Sequence, residues 1–296
     1  MKERSLVAFT ILAQMAVGAF WVLGALHIWA TRQIGMAAAD ALTDRVLLAI
    51  SPLMILGLLA SFFHLGTPLN AWRAFANPWR AFANLRSSWL SREALCAVLF
   101  TGTSGLFTSL QWFKVGTLTA RNVVAWAAAL IGLALIISMA NAYRVRTVPA
   151  WNTWVTPVSF FTTAFLLGEL AVGVTLVVNS DVPPELLRSS LRWIGLSAIV
   201  LLGVQLVIIL LWVAKLAAGQ GAALHAAARI IQEHRLIFRL RLVLAIVGIA
   251  VAGVTLSPWG EGTGAGITTI LTFGLALISE ILGRLLFYAA RVRHGV

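Results

Sequence analysis

Charged residues are scarce in this sequence. Asp, Glu, Lys and Arg make up 11% of its 296 residues, whereas an ordinary water-soluble domain carries about 25%. Hydrophobic residues make up 60%, and the mean hydropathy is +0.93. Too few polar side chains are present to cover a soluble fold, so the composition excludes a soluble protein and indicates a membrane protein.

Cysteine is almost absent, which excludes several kinds of redox centre. The single cysteine, Cys96, lies within an apolar run. One cysteine can build neither a disulfide nor an iron-sulfur cluster motif. We therefore expect no metal site in this chain, and we expect any metal centre that it serves to reside in a partner subunit.

What the sequence does have is long apolar runs. A helix needs about 20 residues to cross the hydrocarbon core of a bilayer. Runs of that order cover residues 5–30, 46–66, 91–112, 122–143, 155–178, 191–214, 237–257 and 265–290. They predict an all-α protein, a polytopic transmembrane bundle of about eight helices that forms one integral membrane domain over residues 1–296. The first run is too long for a signal peptide and lacks a clear small-residue cleavage site, so we expect it to be retained.

Basic residues are divided unequally between the two sides of the predicted bundle. With eight spans both termini share one side, called here the N-terminal side. Of the 22 Lys and Arg residues, the opposite side holds only Arg32, Arg45, Lys114, Arg121, Arg188 and Arg192. Because cytoplasmic loops are enriched in Lys and Arg, this predicts cytoplasmic N- and C-termini, although a basic docking face for an acidic subunit would bias the count in the same way. Orientation and contact with anionic membrane lipids explain the basic charge, and no nucleic-acid partner is expected.

Two connections are long enough to hold a partner protein. Residues 67–90 and 215–236 lie on the N-terminal side and contain several Arg, Trp and His residues. The connections on the opposite side are mostly short. We therefore expect a sizeable partner to dock on the N-terminal side.

Ionisable and polar residues near the span ends also collect on the N-terminal side. An ionisable group within a span costs a few kcal/mol and is a functional candidate by default. Following the chain direction, the residues brought to this side are His64, Arg92, Glu93, Tyr143, Arg144, Glu280, Arg284 and Tyr288. Such a cluster suits a quinone, whose oxygens need hydrogen-bond donors in the oxidised form and proton acceptors as the quinol is oxidised. A histidine with a pKa near about 6.5 and a nearby carboxylate can supply both.

Each candidate also has a purely structural interpretation. His64 could be an interfacial histidine bonded to the backbone, and Glu280 and Arg284, at i and i+4, could neutralise each other. Glu169, in the middle of a span, fits a contact with a neighbouring helix better than catalysis. His27 and His64 end on opposite sides of the membrane and cannot jointly ligate a haem, so we expect no haem.

Several stretches together carry a family resemblance. They are Ala60–Pro68 (ASFFHLGTP), Ser91–Glu93 (SRE), Tyr143–Trp151 (YRVRTVPAW), Thr156-Pro157 with Phe160-Phe161, and Glu280–Tyr288 (EILGRLLFY). In this order they resemble the membrane anchor subunit of dimethyl sulfoxide reductase and its relatives, which include anchors of sulfite:quinone oxidoreductases. The resemblance extends over nearly the whole chain.

The resemblance implies a quinone-reactive anchor in a bacterial cytoplasmic membrane. It implies two partners, a four-cluster, ferredoxin-like iron-sulfur subunit and a molybdopterin catalytic subunit that converts the terminal substrate, expected to be a sulfur oxide such as sulfite or a sulfoxide. Matching positions place quinol binding and proton exchange on His64, Glu93 and Glu280. The convergence on the N-terminal side adds residues that would line or support the quinone pocket: Arg92, Tyr143, Trp151 and Arg284.

Two other functions fit parts of the sequence. A transporter commonly shows internal repeats and charges near the membrane midplane, whereas this sequence shows no repeat and gathers its polar groups on one side. A purely structural anchor without quinone chemistry would need none of these groups for turnover. Copurification of partner subunits separates the first alternative from an anchor, and replacement of His64 separates the second.

Overall fold

The structure is a computed structural model that describes residues 2–62, 85–179, 182–257 and 263–292. Within those ranges the chain forms eight long helices: α1 (Lys2–Ile34), α2 (Met36–Phe62), α3 (Trp89–Trp112), α4 (Leu118–Tyr143), α5 (Val155–Val178), α6 (Pro184–Ala217), α7 (Arg235–Val254) and α8 (Thr263–Ala289). All eight are long and apolar enough to cross a membrane. The predicted all-α bundle is confirmed.

The helix bounds follow the apolar runs, with one large difference. α5 coincides with the run at 155–178, but α2 begins at Met36, where the apolar run begins only at 46. The added turns carry Asp40, Thr43 and Asp44 and therefore resemble a loop in sequence. Gly35, with φ +82°, occupies the single position between α1 and α2. Glycine adopts this left-handed conformation without the steric cost that a side chain would add, so the backbone reverses in one residue.

The centre of the bundle is the crossing of α1 and α5. A Cβ atom on Gly18 would collide with the backbone of Ala164, and one on Gly168 would collide with the backbone of Gly18 and Ala19. Lipid tails are as apolar as helix surfaces, so helices in a membrane associate largely through close packing at small residues. This contact makes α1 and α5 the two most buried spans. α5 packs against α8 and α6 as well, and thereby joins the two halves of the protein.

The outer surface is apolar along the length of the helices. Large side chains such as Leu56, Leu130, Val200, Val243 and Leu271 are exposed. A patch of this extent would aggregate in water and suits contact with lipid. The surface therefore agrees with a bundle that lies in a bilayer.

Tryptophans occupy the helix ends in two different ways. Trp112, Trp154 and Trp193 are exposed, as expected for residues at a membrane boundary. Trp151 and Trp212 also lie at predicted span ends, but both are buried. Their indole N–H groups donate to the Phe287 carbonyl (2.7 Å) and the Ala150 carbonyl (2.9 Å), so they fix the packing of the N-terminal side.

The connection at 215–236 is largely helical. α6 continues to Ala217, a short helix covers Ala222–Ala228, and a π-helical turn covers Arg229–Glu233 before α7. Gly221 has φ +54° and starts the short helix. Of the other long connection, 67–90, only residues 85–90 are described, and there Ser88 caps α3 by accepting a hydrogen bond from the Ser91 amide.

Candidate functional site

A buried polar network surrounds Glu280 in the second half of α8. The Thr163 hydroxyl of α5 donates to Glu280 Oε2 (2.6 Å), and Gln205 Nε2 of α6 lies 3.3 Å from the same oxygen. Arg241 of α7 donates to Gln205 Oε1 (3.3 Å), and its guanidinium Nη2 lies 3.7 Å from Glu280 Oε1. Glu280 and Arg241 are 2% and 7% exposed. Four helices thus bring one carboxylate, one guanidinium and their hydrogen-bond partners together away from water.

The cation beside Glu280 differs from the one that sequence spacing suggests. The direct ion pair that the structure shows for Glu280 joins it to Arg241 and not to Arg284, although the charge of Glu280 still acts on Arg284 at longer range. Arg284 turns towards α1, where it donates to Gln14 Oε1 (2.7 Å). Its guanidinium carbon also lies 3.7 Å from the centre of the Phe160 ring. A desolvated cation gains about 2 kcal/mol or more from such a ring, so Arg284 is held by a neutral amide and an aromatic face.

An aromatic cluster covers this network at the end nearer the N-terminal side. The hydroxyls of Tyr143 (α4) and Tyr288 (α8) lie 2.8 Å apart and share a hydrogen bond. The Trp151 ring stacks on Phe287 (5.3 Å between centroids, 13° between planes) and meets Tyr143 edge-on. Phe160 also touches Tyr143 and therefore connects Arg284 to the cluster. The structure thus brings the predicted residues Tyr143, Trp151, Glu280 and Arg284 together.

Three predicted residues remain. Arg92 and Glu93 lie near the start of α3, and His64 precedes α3 in sequence. Glu93 is 4% exposed, and the described part of the protein offers its carboxylate no hydrogen bond or ion pair. Arg92 bonds instead to its own approach segment, at the Leu85 carbonyl (2.7 Å) and the Arg86 carbonyl (3.0 Å), and it stacks on Trp89. His64 lies outside the described residues; in sequence it follows Phe62, the last residue of α2, by two positions.

The space between these groups is small. The cleft bordered by Thr156, Phe160, Arg241, Glu280 and Arg284 has a volume of about 30 Å³. That is room for a water molecule or two and not for an aromatic ring. Two polar atoms at this end, Glu280 Oε1 and Gln14 Nε2, have no hydrogen-bond partner among the described residues. The arrangement can therefore hold and pass protons, while a larger ligand would have to bind next to it.

Four residues of the network were not predicted from the sequence. Arg241 lies inside the run at 237–257, and Gln14, Thr163 and Gln205 are polar residues inside otherwise apolar runs. Their positions within apolar spans could have identified them, since a buried polar group in a membrane needs a polar partner. Only the packing of α1, α6 and α7 against α5 and α8 shows which partner each has.

Two other buried or partly buried ionisable residues are separate from the network. Glu169, at mid-span in α5, contacts Ser197 of α6, which agrees with the structural interpretation of this residue, although its Oε1 atom has no partner among the described residues. His27 lies near the opposite end of α1 and contacts Thr43. The described residues hold no group of three His, Cys, Asp or Glu side chains that could bind a metal ion.

Comparison with known proteins relates nearly all of the sequence to one family. A family model described as DMSO reductase anchor subunit (DmsC) matches residues 1–290. The sequence is 27% identical to the C chain of anaerobic dimethyl sulfoxide reductase from Haemophilus influenzae and 26% identical to the Escherichia coli K12 protein of that name, in both cases over 99% of this protein and 96% of the relative. It is 30% identical to the C subunit of sulfite dehydrogenase from Allochromatium vinosum over 53% of this protein and 49% of that relative.

Proposed function

The chain belongs to the DMSO reductase anchor subunit family, and we propose that, as the membrane anchor of a molybdenum oxidoreductase, it carries the quinone half-reaction of its complex. In this proposal a quinone headgroup binds at the N-terminal side beside His64. Glu93 and Glu280 exchange protons there, and Arg92, Tyr143, Trp151 and Arg284 line or support the pocket.

The observation that carries the proposal is the concentration of buried polar groups at one end of an otherwise apolar bundle. Glu93, Glu280, Arg241 and Arg284 are all at most 7% exposed, and they come from three different helices. Charges in a membrane are costly and are kept mainly where they bind or move something. An anchor that only held its partners in place would gain nothing from them.

The residues divide into two groups by what they can do. The closed cleft around Glu280 is too small for a headgroup, so the Glu280 carboxylate would accept and release the proton while Thr163 and Gln205 hold it in place by hydrogen bonds. Glu93 has no described partner, is buried, and follows the segment that contains His64, so it is the better candidate for direct contact. The quinone/quinol couple exchanges two electrons and two protons per turnover, and a positioned acid or base raises the rate of proton transfer about 10²–10⁴-fold.

The partners proposed are those of a three-part complex. A four-cluster iron-sulfur subunit would take electrons from the quinone site or deliver them to it, and a molybdopterin catalytic subunit would convert the terminal substrate. Two of the relatives named above act, by their names, on dimethyl sulfoxide, and a third acts on sulfite. A sulfur oxide is therefore the proposed substrate class. The anchor itself would bind no haem.

The proposed docking surface is the N-terminal side, with the connections at 67–90 and 215–236. The second of these exposes Leu224, His225 and Ile231 on its short helix and π-helical turn. Exposed apolar groups on a membrane-side connection favour a protein partner that covers them, and Arg residues such as Arg229 and Arg235 are enriched in binding hot spots. By the distribution of basic residues this side would face the cytoplasm of a bacterial inner membrane.

The test separates quinone turnover from assembly. In the purified complex, Glu93→Gln and Glu280→Gln should each lower quinone-linked turnover while activity with an artificial dye at the catalytic subunit is unchanged. Glu185→Gln, an exposed carboxylate at the opposite end of α6, is the matched control and should change neither activity. Equal loss of both activities in Glu280→Gln would show that its role is structural.

Copurification tests the wider assignment. The tagged anchor should bring down an iron-sulfur protein and a molybdenum protein in fixed proportion. Recovery of the anchor alone from a membrane that contains both would favour the transporter alternative.

A further inference from the structure

A second cavity lies at the other end of the bundle, between α1, α2, α3 and α4. Its volume is about 490 Å³, within the range of about 300–1,000 Å³ that is usual for small-molecule sites. It opens between the C-terminal parts of α1 and α3 and the N-terminal parts of α2 and α4. It is therefore distant along the helices from the network around Glu280, which lies in the second half of α8.

The walls of this cavity are aromatic and held in place. The Trp21 indole N–H donates to the Ala129 carbonyl (3.1 Å), and the ring is parallel to Phe161 (9° between planes, 6.3 Å between centroids). Phe20 and Phe107 meet edge-on (5.9 Å), and Trp126, which also lines the cavity, is 65% exposed towards lipid. Walls of this kind suit a flat apolar ring that enters from the bilayer.

The polar end of the cavity offers one acceptor and one donor. The Thr43 hydroxyl donates its proton to the Ala39 carbonyl (2.9 Å), so it accepts from His27 Nδ1 (3.1 Å). His27 then carries its proton on Nδ1, and Nε2 is left as an acceptor that lies 3.7 Å from the Asp40 Oδ1 atom, so this end of the cavity suits a donor on the ligand. Gln111 Oε1 accepts from Arg121 (3.0 Å), which leaves the Gln111 amide N–H groups as donors.

The charges around the cavity argue against a phosphate headgroup. Among the described residues that line it, Asp40 is the one charged residue and none is Lys or Arg. The nearby Lys114 is bound to Asp40 (3.3 Å) and Asp44 (2.9 Å). Partial burial lowers the pKa of Lys114, but the hydrogen bonds and charges of the two carboxylates outweigh this and raise the pKa above its usual value, so the amine is committed to them. A phosphate in the cavity would therefore meet the Asp40 carboxylate, while Lys114 and Arg121 lie outside the lining and are bonded to Asp40 and Asp44 and to Gln111.

We propose that this cavity is a second lipid-ligand site, which binds a neutral planar headgroup of the quinone class between Trp21 and Phe107. In its quinol form the ligand would donate one hydroxyl to His27 Nε2 and accept from the Gln111 amide at the other, and in its quinone form a carbonyl would accept from Gln111. The proposal stands on the lining of this cavity alone. It requires neither His64 nor the chemistry proposed for the N-terminal side.

The test is photolabelling of the intact complex in phosphatidylcholine nanodiscs with an azido-substituted ubiquinone analogue kept in its reduced, quinol form, followed by mapping of the labelled peptides. We expect label in residues 118–129. Ala125→Trp fills the cavity and should abolish this label, whereas Val123→Trp, on the lipid-facing side of the same helix, should retain it. His27→Phe keeps the bulk of the side chain and removes the acceptor, so it should raise the concentration for half-maximal labelling about tenfold, the equivalent of one hydrogen bond.

Three results would overturn the proposal. The first is the absence of label in residues 118–129. The second is label in these residues that persists in both Ala125→Trp and His27→Phe. The third is label from a photoactivatable phosphatidylcholine that the quinone analogue does not displace. If Ala125→Trp does not assemble, the labelling of His27→Phe tests the proposal on its own. Label in peptides that contain Glu93 or Tyr143 reports the site on the N-terminal side separately, so failure of one site is distinguishable from failure of the other.

Discussion

The two ends of the bundle contain similar ionisable residues in opposite settings. Around Glu280 the charged groups are at most 7% exposed, bonded to one another across helices, and separated by a cleft of about 30 Å³. At the other end, the side chains of His27, Asp40 and Lys114 are 32%, 18% and 49% exposed beside a cavity of about 490 Å³. The close crossing of α1 and α5 at Gly18 and Gly168 lies between them.

The difference teaches that burial, more than residue type, decides what a charged group does in this protein. In the closed end each charge depends on its partner, because water cannot replace that partner once it is lost. In the open end water and lipid headgroups can replace a lost partner, so an ion pair there contributes little. Variants at the two ends should therefore differ strongly in their effect on stability.

The largest effect is expected from Arg241→Met. This change removes the cation paired with the buried carboxylate of Glu280 and should lower the free energy of unfolding by about 3–5 kcal/mol. Denaturant titration in detergent, followed by circular dichroism, measures it. Arg241→Met combined with Glu280→Gln should recover most of the loss, because neither charge of the pair then remains; a double variant as unstable as the single one would contradict the pairing.

A similar or somewhat smaller loss is expected from Gly168→Val. A side chain at this position meets the backbone of Gly18 and Ala19, so α1 and α5 must separate, at a cost of about 1–3 kcal/mol or more. Gly274→Val on α8 has free space around its Cβ and is the matched control. Because the crossing supports both ends, Gly168→Val should weaken quinone-linked turnover and photolabelling of residues 118–129 together. An effect confined to one end would show that the crossing is not shared.

A smaller effect is expected from Tyr143→Phe. The variant loses the hydrogen bond to the Tyr288 hydroxyl but keeps the aromatic packing, so the free energy of unfolding should fall by about 0.5–1.5 kcal/mol. Tyr288→Phe also removes a hydrogen bond to the Thr10 hydroxyl and should cost somewhat more, and the double variant should lose little more than Tyr288→Phe alone. Additive losses would show that the two hydroxyls do not depend on each other.

The smallest effect is expected from Lys114→Met at the open end. The Lys114 side chain is half exposed, while Asp40 and Asp44 are 18% and 13% exposed, so the two ion pairs should contribute at the upper end of the range of about 0–1 kcal/mol for exposed pairs. The same denaturant titration that measures Arg241→Met measures it. A loss as large as that of Arg241→Met would remove the contrast between the two ends.

The fold could be predicted from sequence because each span repeats one simple signal, an apolar run long enough to cross a bilayer. This signal did not predict the first turns of α2, because Asp40 and Asp44 interrupt the apolar sequence there. Their charges are offset by Lys114 from the turn between α3 and α4, a contact of high sequence separation. Asp40 and Thr43 from the same segment also line the second cavity. No sequence pattern predicted this cavity.

The candidate site could be predicted only in part. Chain direction brings Tyr143, Glu280 and Arg284 to one side, and this follows from the number of spans. Local spacing then misleads, because Glu280 and Arg284 are neighbours on α8 but turn to different helices. A single sequence does not show which helices face each other, because this depends on packing at residues such as Gly18 and Gly168.

The most direct measurement of the central proposal is the ratio of quinone-linked to dye-linked turnover in the purified complex of His64→Ala. We expect this variant to assemble with its partners and to keep its dye-linked activity, while quinone-linked turnover falls about 10²–10⁴-fold. Quinone-linked turnover equal to that of the unmodified complex would contradict the placement of the quinone site, and failure of His64→Ala to assemble would show that His64 has a structural role instead.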